Sequence, residues 1–302
     1  MTELPIETRE RIHSIDILRG FIIFLMMFVN DISGVTGTPD WLKHFPADGD
    51  GMTITDLVFP GFLFVMGMSI PAAIGRRLAG GMHVFRVLGH VFTRTVSLLI
   101  IGVLMVNTPG DENIGWHAGL WKLLMYAAVF PVWLSFPAGS PGTAKISMAV
   151  RWAGIIALVL LAIVFRDTDG RWLRTQWWGI LGLIGWAYLI AAAVYLVFRD
   201  NRTGLVGMMA LLFCVYVAFR EGLIVSRWVG GGTVGSHPAI AVGGIFLGTL
   251  VFDRTLTARE RFTAILAFIG FTSAAAWLIR PLYGIGKVPA TPSWCLWSIA
   301  IT

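Results

Sequence analysis

Charge is scarce in this sequence. Asp, Glu, Lys and Arg together make up 13% of its 302 residues, about half of the roughly 25% that a water-facing globular domain carries. A chain with so few charges cannot clothe a soluble surface of its size, which excludes an ordinary cytosolic domain. Cysteine is scarce too. Cys214 and Cys295 both lie inside apolar runs, so they read as small hydrophobes and not as a disulfide framework or a zinc site. The net charge of +6 comes from basic residues scattered between apolar runs, and without a basic face nucleic acid is excluded as a partner. The first apolar run lacks a small-residue cleavage site, so no removable signal is expected. Nor is any repeat or low-complexity tract evident.

What is abundant is apolar. The chain is 56% hydrophobic with a mean hydropathy of +0.76, so the lipid bilayer is its expected partner. Apolar runs fall near 15–33, 54–75, 84–106, 118–136, 147–165, 177–198, 204–220, 237–253 and 262–281, and another begins at 292 and stops inside CLWSIAIT. The expected fold class is all-α: a polytopic membrane helix bundle with nine complete spans and a truncated tenth. Residues 1–302 are expected to form a single transmembrane domain cut at its C-terminus. Loop 31–53 holds one Lys against four Asp, and loop 107–117 holds Asp111 and Glu112 without Lys or Arg. By the positive-inside rule both loops face outward and the N-terminus is cytoplasmic.

Polar residues near or within the apolar runs carry the functional signal, because charge at membrane depth is costly. Asp16 and Arg19, three apart in RIHSIDILRG, share a helix face and can pair. His83, Arg86, His90 and Arg94 in HVFRVLGHVFTR are spaced by three and four and form one stripe. Such a stripe suits an anionic ligand such as a phosphate, which Arg binds bidentately; Lys122 in the next run could join it. Internal pairing is the competing reading. The segment DWLKHFPADGDGMTITDLVF (40–59) places His44 among four aspartates just before an apolar run. A lone loop histidine is ordinarily a solvated residue. DGDG lacks the ligand spacing of an EF-hand, so no metal is expected. Pro60 and Pro71 could break the second span as in a carrier, and a transporter of a small amino sugar or anionic solute is the rival function.

Read in order, RIHSIDILRG, MMFVND, KHF…GMTITDLVFPGFLFVMGMSI, RVLGHVFTRTVSLLIIGVLMVNTP, WGILGLIGWAYL and KVPATPSW closely resemble the heparan-α-glucosaminide N-acetyltransferase family of transmembrane acetyltransferases. The resemblance implies acetyl transfer from cytoplasmic acetyl-CoA to the amine of a glucosamine-type acceptor on the far side of the membrane. It implies an integral protein, here of a bacterial inner membrane, with a homodimer left open. It makes His44 the catalytic histidine, with Asn30 and Asp56 as its matching partners. Arg86, Arg94, His90, Lys122 and Arg19 become candidate contacts for the donor. Each residue type suits this chemistry. An imidazole can take the proton of an ammonium acceptor or carry the acetyl group. Asn30 can donate to an oxyanion or hold a substrate hydroxyl, and Asp56 can orient the ring or bind the cationic acceptor. Asn30 as a helix cap and Asp56 as a first-turn acid are competing readings. The chain departs from the eukaryotic pattern at FPADGDG, where a longer acidic loop replaces a small residue and Trp-Asn-Gly, so a different acceptor pocket is expected.

Overall fold

The computed structural model describes residues 13–32, 34–134 and 141–302. Among these residues there are helices and no strands. Ten helices carry the architecture: α1 (His13–Ile32), α2 (Ile54–Ala79), α3 (Val84–Val106), α4 (Ala118–Trp133), α5 (Pro141–Val164), α6 (Ile180–Phe198), α7 (Arg202–Arg220), α8 (Gly232–Val251), α9 (Ala258–Tyr283) and α10 (Pro292–Ile301). They follow the ten expected apolar runs closely. Seven helices are long and apolar enough to cross a bilayer among the described residues: α2, α3, the Lys145–Val164 part of α5, α6, α7, α8 and α9. Helix α4 has 16 residues, short of the roughly 20 that span a bilayer. The 20-residue α1 is not among the seven; it carries Asp16 and Arg19 within its first two turns.

The chain divides into two compact units, residues 1–92 with 186–302 and residues 93–185. In the first unit, α2 and α8 are the buried pair. Their backbones cross where glycines remove the side chain. A Cβ on Gly67 would collide with the carbonyl of Ala241, and one on Gly244 with the carbonyl of Phe64, the small-residue contact that lets membrane helices approach closely. On α1, Ile15, Ile22 and Val29 are buried while Phe21, Phe24 and Met27 are exposed. A seven-residue spacing keeps the first three on one stripe, and the outward apolar side chains suit lipid. Helix α10 docks on α9 through Ser293, whose hydroxyl donates to the Ala276 carbonyl at 2.9 Å.

Neither proline unwinds α2. Pro60 lies within the helix, and Pro71 opens a single wide turn, Pro71–Gly75, through which the helix runs on to Ala79. The broken-helix feature that would favour a carrier is therefore missing from this span.

In the second unit Leu104, Trp121, Met125, Leu158, Leu161 and Phe165 form the core. The Trp121 indole donates to the Leu161 carbonyl at 3.0 Å, which satisfies its one polar atom inside an apolar cluster.

Candidate active site

Helix α2 begins with a reciprocal start signal. Thr53 precedes its first turn, and the Asp56 carboxylate reaches back to accept the Thr53 N–H at 3.1 Å, the acidic half of a capping arrangement. That contact commits one carboxylate oxygen, Oδ2, which also accepts the Phe45 N–H at 3.0 Å, with the Thr53 hydroxyl 3.2 Å away. The Asp56 side chain is only 1% exposed, so its other oxygen, Oδ1, is aimed as well. It meets His44 Nδ1 at 2.8 Å and Lys287 Nζ at 3.4 Å.

His44 comes from the loop between α1 and α2, and the loop is built to hold it. The Thr53 hydroxyl donates to the Lys43 carbonyl at 2.7 Å, and the Thr55 hydroxyl donates to the Leu42 carbonyl at 2.7 Å. These bonds pin the backbone on the N-terminal side of His44, and the Phe45 N–H pins the other. Phe45 folds under the acidic turn. A Cβ on Gly49 or Gly51 would approach its ring to 2.5 Å, so the two glycines of DGDG let the turn lie directly against the ring, and a larger residue at either would have to push the ring aside. His44 itself is 38% exposed, open to a substrate on one side.

Lys287 is the member that reading the sequence missed. It lies in the connection between α9 and α10, 243 residues from His44, and its Nζ is 2.8 Å from His44 Nδ1 and 3.4 Å from Nε2. Burial pushes the Lys287 ammonium below the ordinary lysine range, while neighbouring Asp56 pulls it back up. The connection is a rigid turn: Ala290 N–H donates to the Lys287 carbonyl at 3.0 Å, and Ala290 holds φ at 53°, a conformation rare for a residue with a Cβ. The signal lay in KVPATPSW, which belongs to the resemblance but carried no role.

The acidic loop has a structural use. Asp50 accepts the Ile285 N–H at 2.7 Å and pairs with Arg280 at 3.1 Å, and the Gly51 N–H donates to the Ile285 carbonyl at 3.0 Å. The Ile285 N–H, with Arg280 beside it, holds the Asp50 carboxyl below the usual carboxylate range. The segment expected to shape the acceptor pocket thus ties the His44 loop to the Lys287 turn.

The remaining expected residues are distributed as follows. Asn30 is exposed near the end of α1, and its amide donates to the Met26 carbonyl at 2.7 Å. Asp16 and Arg19 pair at 3.4 Å, as their spacing predicts. They border a recess of about 490 Å³ together with Arg76. Arg86, His90 and Arg94 do lie along one stripe of α3, and that stripe is exposed, while Val87, Val91 and Thr95 face inward. Lys122 is half-buried in the second turn of α4. His117 caps α4, accepting from the Gly119 N–H at 3.0 Å. His237 is buried inside α8, edge-on to Phe59. Among the described residues no cluster of three or more His, Cys, Asp or Glu is arranged to hold a metal ion.

A second polar feature lies toward the other end of α2. A recess of about 880 Å³ is lined by Arg76, Arg202, Arg254 and Arg261 against Asp200 and Asp253. Arg202 pairs with Asp253 at 2.6 Å, and Arg261 donates to the Asp253 carbonyl at 2.7 Å. Bonds from Thr255 and Arg202 hold the Asp253 carboxyl down at about 2. The twenty residues of α2 between Asp56 and Arg76 rise about 30 Å at roughly 1.5 Å per residue, the thickness of a bilayer's hydrocarbon core.

Comparison with known proteins agrees with the motifs. The chain is 41% identical over 98 residues to the heparan-α-glucosaminide N-acetyltransferase of Homo sapiens, and 38% identical over 98 residues to that of Mus musculus. Each match covers 32% of this chain and 14% of the relative. It therefore spans about a seventh of the length of these curated relatives. A family described as "Domain of unknown function (DUF5009)" matches residues 11–229, most of the chain. This chain is therefore an integral membrane protein similar to the heparan-α-glucosaminide N-acetyltransferases, and it belongs to the DUF5009 family.

Proposed function

We propose that the chain is an acetyl-CoA-dependent N-acetyltransferase of a bacterial inner membrane, its residues 1–302 acting as one transferase domain with the N-terminus cytoplasmic. The acceptor is the amine of a glucosamine-type sugar on the outer side. The observation that carries this reading is the His44–Asp56 pair: an exposed imidazole whose Nδ1 is 2.8 Å from a buried carboxylate. A carboxylate at Nδ1 holds the ring so that Nε2 presents a lone pair to the solvent-facing side, which is what a general base or an acyl-accepting nucleophile needs. Attack on a thioester requires a neutral amine, and His44 takes the proton that an ammonium acceptor must lose. Asn30, near the end of the helix that feeds the His44 loop, is assigned to the oxyanion or to an acceptor hydroxyl.

The donor enters from the opposite end of α2. Its phosphates suit the arginine-lined recess, where Arg76 and Arg202 lie near Arg254 and Arg261, and Arg19 borders the adjoining recess. Arg86, His90, Arg94 and Lys122 are the further donor contacts of this reading. All ten helices count as membrane elements in it, the short α4 and α10 included. The pantetheine arm then runs along α2 toward His44.

The test is reconstitution in lipid vesicles with labelled acetyl-CoA and a panel of amino sugars, comparing the wild type with His44→Ala. The reading expects transfer that falls by at least about 100-fold in the variant. Transfer at the wild-type rate by His44→Ala removes the histidine from the chemistry. Uptake of an amino sugar without acetyl-CoA would establish the carrier in its place.

A further inference from the structure

Two groups of opposite charge meet at one ring nitrogen. Asp56 Oδ1 and Lys287 Nζ both lie 2.8 Å from Nδ1 of His44, and one imidazole nitrogen has one in-plane direction for a hydrogen bond. The distances decide which partner occupies it. Nζ is 2.8 Å from Nδ1 and 3.4 Å from Nε2, a difference of only 0.6 Å. An ammonium on the line of the Nδ1 lone pair would have the whole ring between it and Nε2, and the two distances would differ far more. A position in the ring plane at those distances from both nitrogens would overlap Cε1. Nζ therefore stands over the face of the ring. The in-plane direction at Nδ1 belongs to Asp56, and Nδ1 donates to it.

We propose that Lys287 is a positioning residue of this site. Its ammonium, paired with Asp56 Oδ1 at 3.4 Å, stands over the His44 ring and keeps that ring neutral, protonated at Nδ1 and bare at Nε2. An ammonium at this distance repels an imidazolium and tolerates a neutral ring. Asp56 alone would stabilise the doubly protonated ring, which has no lone pair to accept a proton. Lys287 opposes that and leaves the orienting bond intact. Its own place is set by the Lys287–Ala290 turn and by the Asp50 bonds two residues earlier, at Ile285. The proposal deepens the acetyltransferase reading and rests on it for the use made of the bare Nε2. The state of the ring is independent of that use.

The test reads the ring directly. The full chain, labelled with ¹⁵N at histidine and held in lipid nanodiscs without donor or acceptor, is observed by NMR near neutral pH, with His44→Gln to assign the signal. The wild type is expected to show Nδ1 protonated and Nε2 bare. Lys287→Met removes the charge and keeps most of the stem, and is expected to raise the doubly protonated population about tenfold. Lys287→Arg keeps the charge and is expected to retain the wild-type pattern. A wild-type ring protonated at Nε2 and bare at Nδ1 overturns the proposal, as does a Lys287→Met spectrum identical to the wild type. If Lys287→Met does not fold, the wild-type and Lys287→Arg spectra decide, and Nε2 protonation in either overturns it. In parallel, Lys287→Met should lower kcat for acetyl transfer with the KM for acetyl-CoA unchanged. A wild type that transfers no acetyl group defeats the reaction and leaves the ring spectrum to judge Lys287.

Discussion

Asp50 accepts the backbone N–H of Ile285 at 2.7 Å across 235 residues of sequence. This bond joins the loop that carries His44 to the turn that carries Lys287, so the site depends on a contact that involves neither of its reacting atoms. The carboxylate also holds Arg280, so this acid of DGDG is committed to joining the two segments.

That bond gives a pH dependence with a definite sign. The folded-state pKa of Asp50 lies below the ordinary 3.8, so the native state binds this proton less readily than the unfolded chain. The bond's contribution is complete above about pH 4 and is lost as pH falls through the lowered value. Hydrogen exchange of the Ile285 amide, followed from pH 5 downward, should show protection falling below pH 4. Asp50→Asn should remove that dependence, and protection that stays flat in the wild type would refute the assignment.

Asp56→Asn keeps the shape of the side chain and offers His44 either a donor or a neutral acceptor. By the logic of an orienting carboxylate it should lower kcat by at least about 100-fold with little change in the KM for acetyl-CoA. Because Asp56 is also buried at the start of α2, Asp56→Ala should in addition destabilise the fold by about 1–3 kcal/mol. Denaturation in detergent micelles separates the two effects: equal stability losses for both variants would mean that the capping role accounts for everything.

The crossing of α2 and α8 predicts a contrast between glycines. Gly244→Ala places a Cβ against the Phe64 carbonyl, whereas a Cβ on Gly270 of α9 meets nothing within 4 Å. Overpacking against backbone should cost about 1–3 kcal/mol, and Gly270→Ala should be neutral or stabilising by up to about 1 kcal/mol. Melting temperatures of the two variants test this, and equal values would mean that the helices can separate without loss.

Donor binding discriminates between the two arginine groups. If the recess takes the phosphates, Arg76→Ala should raise the KM for acetyl-CoA about tenfold or more and weaken its salt dependence. Arg86→Ala and Arg94→Ala on the exposed stripe should have smaller effects. Isothermal titration with acetyl-CoA decides, and the reverse order would return the donor to the α3 stripe.

Much of this protein was legible from residue order alone. The ten helices follow from apolar runs of sufficient length, because in lipid a backbone must satisfy its own hydrogen bonds and a helix does so locally. The Asp16–Arg19 pair and the α3 stripe follow from helical spacing, which is equally local. The direction of Asp56 was half legible. Its place at the start of a helix can be read from TITD, but the commitment of Oδ2 to Phe45 and Thr53, which leaves Oδ1 for His44, requires the folded loop.

Tertiary structure alone decided the rest. Nothing in the spacing of 44 and 287 brings them together; only the packing of α9 and α10 and the Asp50 bonds do so. For the same reason the role of DGDG changed, since its partner lies 235 residues away. The arginine recess is also beyond sequence pattern, because Arg76, Arg202 and Arg254 come from separate segments that converge at one end of the first unit. Local geometry is written in adjacent residues. Which distant loops share an end of the bundle depends on how helices pair, and glycines at the α2–α8 crossing set that pairing by where they let backbones touch.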